Sequence, residues 1–317
     1  MDLNLGSQED KTSYEFFSGK GGVGKTTLST ARALFLAGQG NKVLVVSTDP
    51  AHSISDCLEM EVGSEETEVA ENLFAVEIDP SDASDELEEK LSDKGEAMED
   101  MPLMDTGLGS LASSTPGSDE MVAFSRFMEY MHRDDYDYVI FDTAPTGHTL
   151  KFLSLPDVME SWVGKILSLK QKMSQFTDMF KGVMPFAGEE EEQESGFEEL
   201  KEMKEDIKEA REIMQDSERT KFWMVLIPEE MSLYEGERMM QDLDEYGIPC
   251  ENLIVNKMIP PSENCDFCSA KRRKQLEVLD SIKEIFEDKD IRSLQLLEEE
   301  LKGQDLLRDV SKDLYQE

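Results

Sequence analysis

Residues 19–26 read GKGGVGKT and satisfy the spacing G-x-x-x-x-G-K-[ST]. Glycines at these positions let successive backbone N–H groups converge on phosphate oxygens, and a helix that starts at the lysine adds partial positive charge. In this chemistry Gly21, Gly22, Val23 and Gly24 cradle the phosphates, Lys25 reaches the β- and γ-phosphates, the Thr26 hydroxyl ligates Mg²⁺, and Thr27 completes the loop. Two acids stand in later loops: Asp49 in STDPAHS (47–53) and Asp142 in DTAPTGHT (142–149). Each follows an apolar run, at the carboxyl end where α/β sheets place their ligands. There Asp49 orients or activates the attacking water, and Asp142 takes the position of the acid beside Mg²⁺. A simple helix cap is the other reading of an acid that ends a strand. Pro145 and Gly147 suit a loop that changes conformation when the γ-phosphate leaves. Asn256, Lys257 and Met258 match the first three positions of the guanine-reading N-K-x-D. The fourth is Ile259, so the carboxylate that would accept from guanine is missing, and ATP is favoured over GTP.

These loops need rigid elements to hold them. A β-rich run from Tyr14 to Ser18 feeds the glycine loop, and LSTARALFLAGQG reads as a helix that stops at glycines. KVLVVSTDP (42–50), YDYVIFDTAP (136–145), KFWMVLIP (221–228) and NLIVNKMI (252–259) read as buried strands, apolar nearly throughout. Buried strands alternating with helices predict an α/β fold with a doubly wound, mostly parallel sheet and helices on both faces. Residues 81–131 and 154–215 do not fit the sheet. The expected layout is a single P-loop ATPase domain over 1–317, with these two insertions forming a helical subdomain.

Bulk composition narrows the partners. The 317 residues carry 71 acids against 32 bases, a net charge of -39. Such a surface repels a nucleic-acid backbone, whose binding rests on Lys and Arg neutralising phosphates, so nucleic acid is excluded as a partner. The spread of acids along the chain suits high internal salt, where screening limits self-repulsion. No stretch has the roughly 18 to 20 uncharged apolar residues of a membrane-spanning helix. The amino end lacks the basic-then-apolar pattern of a secretory signal, so the expectation is a cytoplasmic protein. Four cysteines do not make a disulfide scaffold: Cys265 and Cys268 form a CxxC, whereas Cys57 and Cys250 are isolated.

A second lysine, Lys20, follows the first glycine, and in this the loop resembles the deviant P-loop ATPases, the MinD-like and nitrogenase-iron-protein relatives. That resemblance implies that Lys20 reaches across a dimer interface to the partner's nucleotide. A cation supplied in trans neutralises charge that develops during phosphoryl transfer and makes hydrolysis depend on dimer geometry. KGGVGKTT, STDPAHS, DYVIFDTAPTGHTLKFLSLP and VNKMIPPSENCDFCSAKRRKQ follow in the order and spacing of one family. From about residue 14 to 315 the chain resembles the tail-anchored-protein targeting ATPases of the archaeal type, within the arsenical-pump ATPase family. DTAPTGHTL belongs to the wider family, and the CxxC after VNKM points to the targeting branch.

The resemblance implies a homodimer with zinc at its two-fold axis. Zn²⁺ wants four ligands and Cys265 and Cys268 supply two, so a second copy completes a four-thiolate site most simply. His52 and His148 fall in the nucleotide loops and His132 in a distant segment. A redox-active CxxC is the alternative. The resemblance further implies that Asp49 positions the attacking water, Asp142 is the switch acid, and Asn256 reads adenine. Ser53 stands where many members have Asn, and the proline usual near the base is replaced around Ser293.

Methionines gather in the insertions: Met98, Met101, Met104, Met121, Met128, Met131, Met159, Met173, Met179 and Met184. Flexible, polarizable Met suits a groove that accepts many apolar sequences. Met159, Trp162, Val163, Ile166, Leu167 and Leu169 share one apolar face, which fits a groove wall or ordinary helix packing. The family resemblance favours a groove for the hydrophobic tail-anchor helix of a client, delivered to a membrane receptor that the residues do not identify. The competing activity is an arsenite-stimulated ATPase subunit of an efflux pump, and a weaker third is a MinD-type positioning ATPase. As(III) wants several thiolates, and Cys57 and Cys250 are poorly placed for them. The chain also holds one ATPase unit, not the tandem pair typical of the pump subunit.

Overall fold

Strand β1 (Ser13–Ser18, SYEFFS) shows why the sheet is buried on both sides. Successive residues point to opposite faces, and five of its six are buried. The computed structural model describes residues 12–48, 53–78, 126–142, 205–206, 208–262 and 264–316. β1 lies between β5 (Tyr138–Asp142) and β6 (Thr220–Leu226), parallel to both. Register sets Phe16 opposite Phe141 on one side and Phe222 on the other. Its ring stacks on both, at 4.9 and 5.4 Å between centroids. On the opposite face Phe17 stacks on Trp223 at 5.7 Å. Each such ring contributes roughly 1.5–3 kcal/mol by leaving water.

The sheet has eight strands in the order β3-β4-β2-β5-β1-β6-β7-β8. The others are β2 (Val43–Ser47), β3 (Thr67–Ala70), β4 (Leu73–Glu77), β7 (Asn252–Met258) and β8 (Asp290–Gln295). All neighbours run parallel except β3 and β4. Five strands match the sequence expectation; β3, β4 and β8 were not anticipated. β3 and β8 are edge strands whose exposed positions break the apolar run, and Leu294 is the buried residue of β8.

Helices cover both faces. α1 (Lys25–Gly38), α2 (Ser53–Leu58) and α5 (Gln304–Tyr315) pack with Phe17, Val45 and Ile254 on one. α3 (Glu230–Glu245), α4 (Asp266–Ile285) and the helical residues 126–131 and 208–215 pack with Phe16, Phe141 and Phe222 on the other. α1 ends as its glycines predict: Gly40 has φ 93 and its N–H donates to the Ala37 carbonyl at 2.9 Å.

Two of the methionines assigned to a groove have a different place. Met131 is fully buried and Met128 partly buried in the core around Phe16 and Phe127. Tyr14 also donates its hydroxyl to the Met131 carbonyl at 2.7 Å. The clustering of methionine that suggested a groove is, at these two positions, core packing of a helix on the sheet. Met98, Met101, Met104, Met121, Met159, Met173, Met179 and Met184, with the face from Met159 to Leu169, lie outside the described residues. Among the described residues no helix is long and apolar enough to cross a membrane.

Candidate nucleotide site

The central strand ends at buried Ser18, and the chain then turns through Gly19–Gly24 into α1. Gly24 stands just before the helix with φ 98. A side chain there would be strained by that angle and would also run into the Asn256 carboxamide. Gly19 lies so close to the Val225 carbonyl that a Cβ would clash with it. Those two contacts, one from β7 and one from β6, press the loop against the sheet. Lys25 begins α1 and is buried.

β7 holds the loop from the other side. Asn256 is buried; its Nδ2 donates to the Val23 carbonyl at 2.8 Å, and its Oδ1 accepts from the Lys257 N–H at 2.8 Å. The Lys257 ammonium donates to the Gly22 carbonyl at 2.5 Å. Lys257 adopts φ 61, uncommon for a side chain that is not glycine. Asn256 was expected to read the adenine. Each end of its carboxamide makes one contact with the chain, which leaves a second N–H and a second lone pair.

Asp142 ends β5, buried, in register with Ser47 of β2 and Phe17 of β1. Thr26 donates its hydroxyl to Asp142 Oδ2 at 2.6 Å. The Ser53 hydroxyl at the start of α2 stands 3.2 Å from the Thr26 hydroxyl. Three oxygens of the hard kind Mg²⁺ prefers therefore meet at one end of the loop. The donor set of Thr26, Ser53 and Asp142 fits that ion, which would supply positive charge against the phosphates. Thr27 lies beside the Cys57 thiol.

Lys20 is more exposed and forms an ion pair with Glu235 of α3. Gly21 is exposed at the tip of the turn. Asp49, His52, Pro145, Gly147 and His148 lie outside the described residues.

Cys265 and Cys268 mark the start of α4. Cys265 Sγ accepts from the Cys268 N–H at 3.2 Å. The two sulfurs face each other, with Cα atoms 5.2 Å apart. Two converging sulfurs fit half of a tetrahedral zinc site. No group of three or more His, Cys, Asp or Glu side chains able to hold a metal exists among the described residues. His132 Nδ1 is 2.7 Å from the Met128 carbonyl oxygen, far in sequence from both cysteines.

Cys57 and Cys250 belong to cores on opposite faces of the sheet. Burial pushes their thiols up to about 11 and about 12. They cannot share one soft ion, and neither is poised as a thiolate.

A glycine loop at the end of the central parallel strand, with a threonine and a strand-ending aspartate at its helix end, defines a P-loop nucleotide-binding protein. Residues 12–316 match the anion-transporting ATPase family, and the chain belongs to that family. It is 39% identical to the ATPase GET3 of Podospora anserina, across 99% of this chain and 94% of that protein. It is 37% identical to ATPase ASNA1 homolog 1 of Paramecium tetraurelia, across 92% of this chain and 89% of that protein. To the ATPase GET3B of Arabidopsis thaliana it is 37% identical, across 91% and 74%.

Proposed function

We propose that this ATPase works as a cytoplasmic homodimer that covers the hydrophobic helix of a tail-anchored membrane protein and delivers it to a membrane receptor. Lys25 and the loop N–H groups hold the phosphates, with Thr26, Asp142 and Ser53 as the side chains for Mg²⁺. Asp49 orients the attacking water. Lys20 leaves Glu235 and reaches the partner's nucleotide, so that hydrolysis requires the closed dimer. Cys265 and Cys268 of two chains, reduced, supply four thiolates for zinc at the dimer axis. Of the two insertions, 81–131 and 154–215, the parts other than 126–131 and 208–215, which pack on the sheet, carry the client.

One contact supports coupling between nucleotide and client. Phe127, near the end of the first insertion, packs its ring on Phe141 at 4.9 Å. Phe141 immediately precedes Asp142. A shift of Asp142 when the γ-phosphate leaves therefore moves the residue on which the insertion is rooted. The buried, separated Cys57 and Cys250 weigh against the arsenite-stimulated alternative.

The test is co-expression with a reporter that carries a C-terminal membrane helix, and with the same reporter lacking it. Helix-dependent co-elution at dimer size or above is expected, with release on ATP hydrolysis. Phe127→Ala should still bind the reporter and hydrolyse ATP but release it more slowly. Absence of any helix-dependent complex, with or without ATP, would end the client reading.

A further inference from the structure

Glu77 ends β4, a strand that the sequence alone did not reveal, and no role in the site has yet fallen to it. Its side chain is almost completely buried, at 2% exposure. Register sets it beside Ser47, the last residue of β2, and the two strands continue together as the Ile78 N–H donates to the Ser47 carbonyl at 2.9 Å. One carboxylate oxygen accepts from the Ile54 N–H at 2.6 Å and from the Ser55 N–H at 3.3 Å. The other accepts from the Ser55 hydroxyl at 2.8 Å. That hydroxyl also accepts from the Val62 N–H at 3.1 Å, which fixes its rotamer. A buried carboxylate is expensive unless it is hydrogen-bonded, so these three donors are tied to it firmly.

The donors adjoin the site. Ile54 and Ser55 directly follow Ser53, whose hydroxyl stands 3.2 Å from that of Thr26. The geometry points to Glu77 as a positioning residue for ATP hydrolysis: by clamping the first turn of α2 it sets Ser53 against Thr26 and Asp142 and completes the oxygen set for Mg²⁺. The inference rests on the reading of Thr26 and Asp142 as the magnesium end of the site. Glu77 acts through Ser53, by way of Ile54 and Ser55. Groups that orient metal ligands in this way change metal affinity or activity about 10- to 100-fold when removed.

The experiment measures ATP turnover against Mg²⁺ concentration in Glu77→Ala, Glu77→Gln, Ser55→Ala and Thr26→Ala, with thermal melts of each. Glu77→Ala is expected to raise the Mg²⁺ concentration for half-maximal rate about tenfold and to lower kcat, while KM for ATP at saturating Mg²⁺ moves by about twofold at most. Glu77→Gln should recover most of this. Its amide oxygen still accepts from the two N–H groups, and its NH₂ donates to Ser55 Oγ once that hydroxyl turns to the Val62 carbonyl, 3.2 Å away. Ser55→Ala removes a single donor and should shift the Mg²⁺ dependence the same way but less, which preserves the test should Glu77→Ala fold poorly. A normal Mg²⁺ dependence in both Glu77→Ala and Ser55→Ala, beside a shifted one in Thr26→Ala, overturns the role of Glu77 alone. An unshifted Thr26→Ala overturns the reading of the magnesium end, and the role of Glu77 with it.

Discussion

Ordinary side chains acquire unusual chemistry here through burial. The Cys57 thiol, pushed up to about 11 from an ordinary 9.0, and the Cys250 thiol, pushed up to about 12, are held neutral mainly because burial penalises the thiolate. Each folded pKa lies above the unfolded one. The stability they contribute is therefore complete below about pH 9 and is lost as pH rises toward 11 and 12. Two outcomes follow. At pH 8 neither thiol should react with iodoacetamide until urea unfolds the chain, as read by mass spectrometry. A Cys57→Ala, Cys250→Ala double variant should lose less stability than the parent between pH 9 and 11, as read by urea melts. The P-loop was legible at this scale because its residues are contiguous and their chemistry follows from spacing. Asn256 was legible only as an identity. That its amide holds the Val23 carbonyl depends on a neighbour 233 positions away.

Helix α1 carries the P-loop's first turn, and its underside is locked by a buried ion pair. Arg32 donates from Nε and Nη2 to both oxygens of Glu15 on β1, at 2.9 and 2.7 Å. Trp223 on β6 donates its indole N–H to the same carboxylate at 2.8 Å. The guanidinium lies over the rings of Trp223 and Tyr315, at 5.5 and 5.2 Å. Tyr315 in turn donates its hydroxyl to the Leu28 carbonyl at 3.0 Å. Two strands, α1 and α5 thus meet at one charge. Arg32→Ala leaves Glu15 buried without this partner and should destabilise the fold by about 3–5 kcal/mol in urea unfolding. Arg32→Lys should recover only part, because a point charge cannot repeat the two-pronged bond. β1 was read from a β-rich run, and α1 from a helical stretch that stops at glycines. The part played by α5 was not, since nothing within LLRDVSKDLY says which helix it will meet.

At the scale of the whole molecule, Lys20 links the chain to its proposed partner. In the single chain it is paired with Glu235, in a contact that leaves the lysine side chain 60% exposed. Its reach into a second protomer requires that pair to open. ATP turnover per chain should rise with protein concentration, and Lys20→Ala should abolish that rise while fluorescent-ATP binding persists. Glu235→Gln should move the concentration for half-maximal turnover downward, because the cis competitor is gone. A turnover per chain that stays flat across the concentration series would sink the trans role of Lys20.

The sequence by itself determined the phosphate loop, the alternation of buried strands and helices, and the family to which the chain belongs, because each of these is written in local spacing or in ordered motifs. It missed β3, β4 and β8, whose short or exposed runs do not stand out from their surroundings. It also assigned Met128 and Met131 to a groove when they complete the core beside Phe16. Only the tertiary structure brought Thr26, Ser53 and Asp142 together, placed Glu77 behind them, and set Asn256 and Lys257 under the loop. The physical reason is common to all of these. A hydrogen bond across a parallel sheet depends on strand order and register, and both are fixed by packing among residues far apart in the chain.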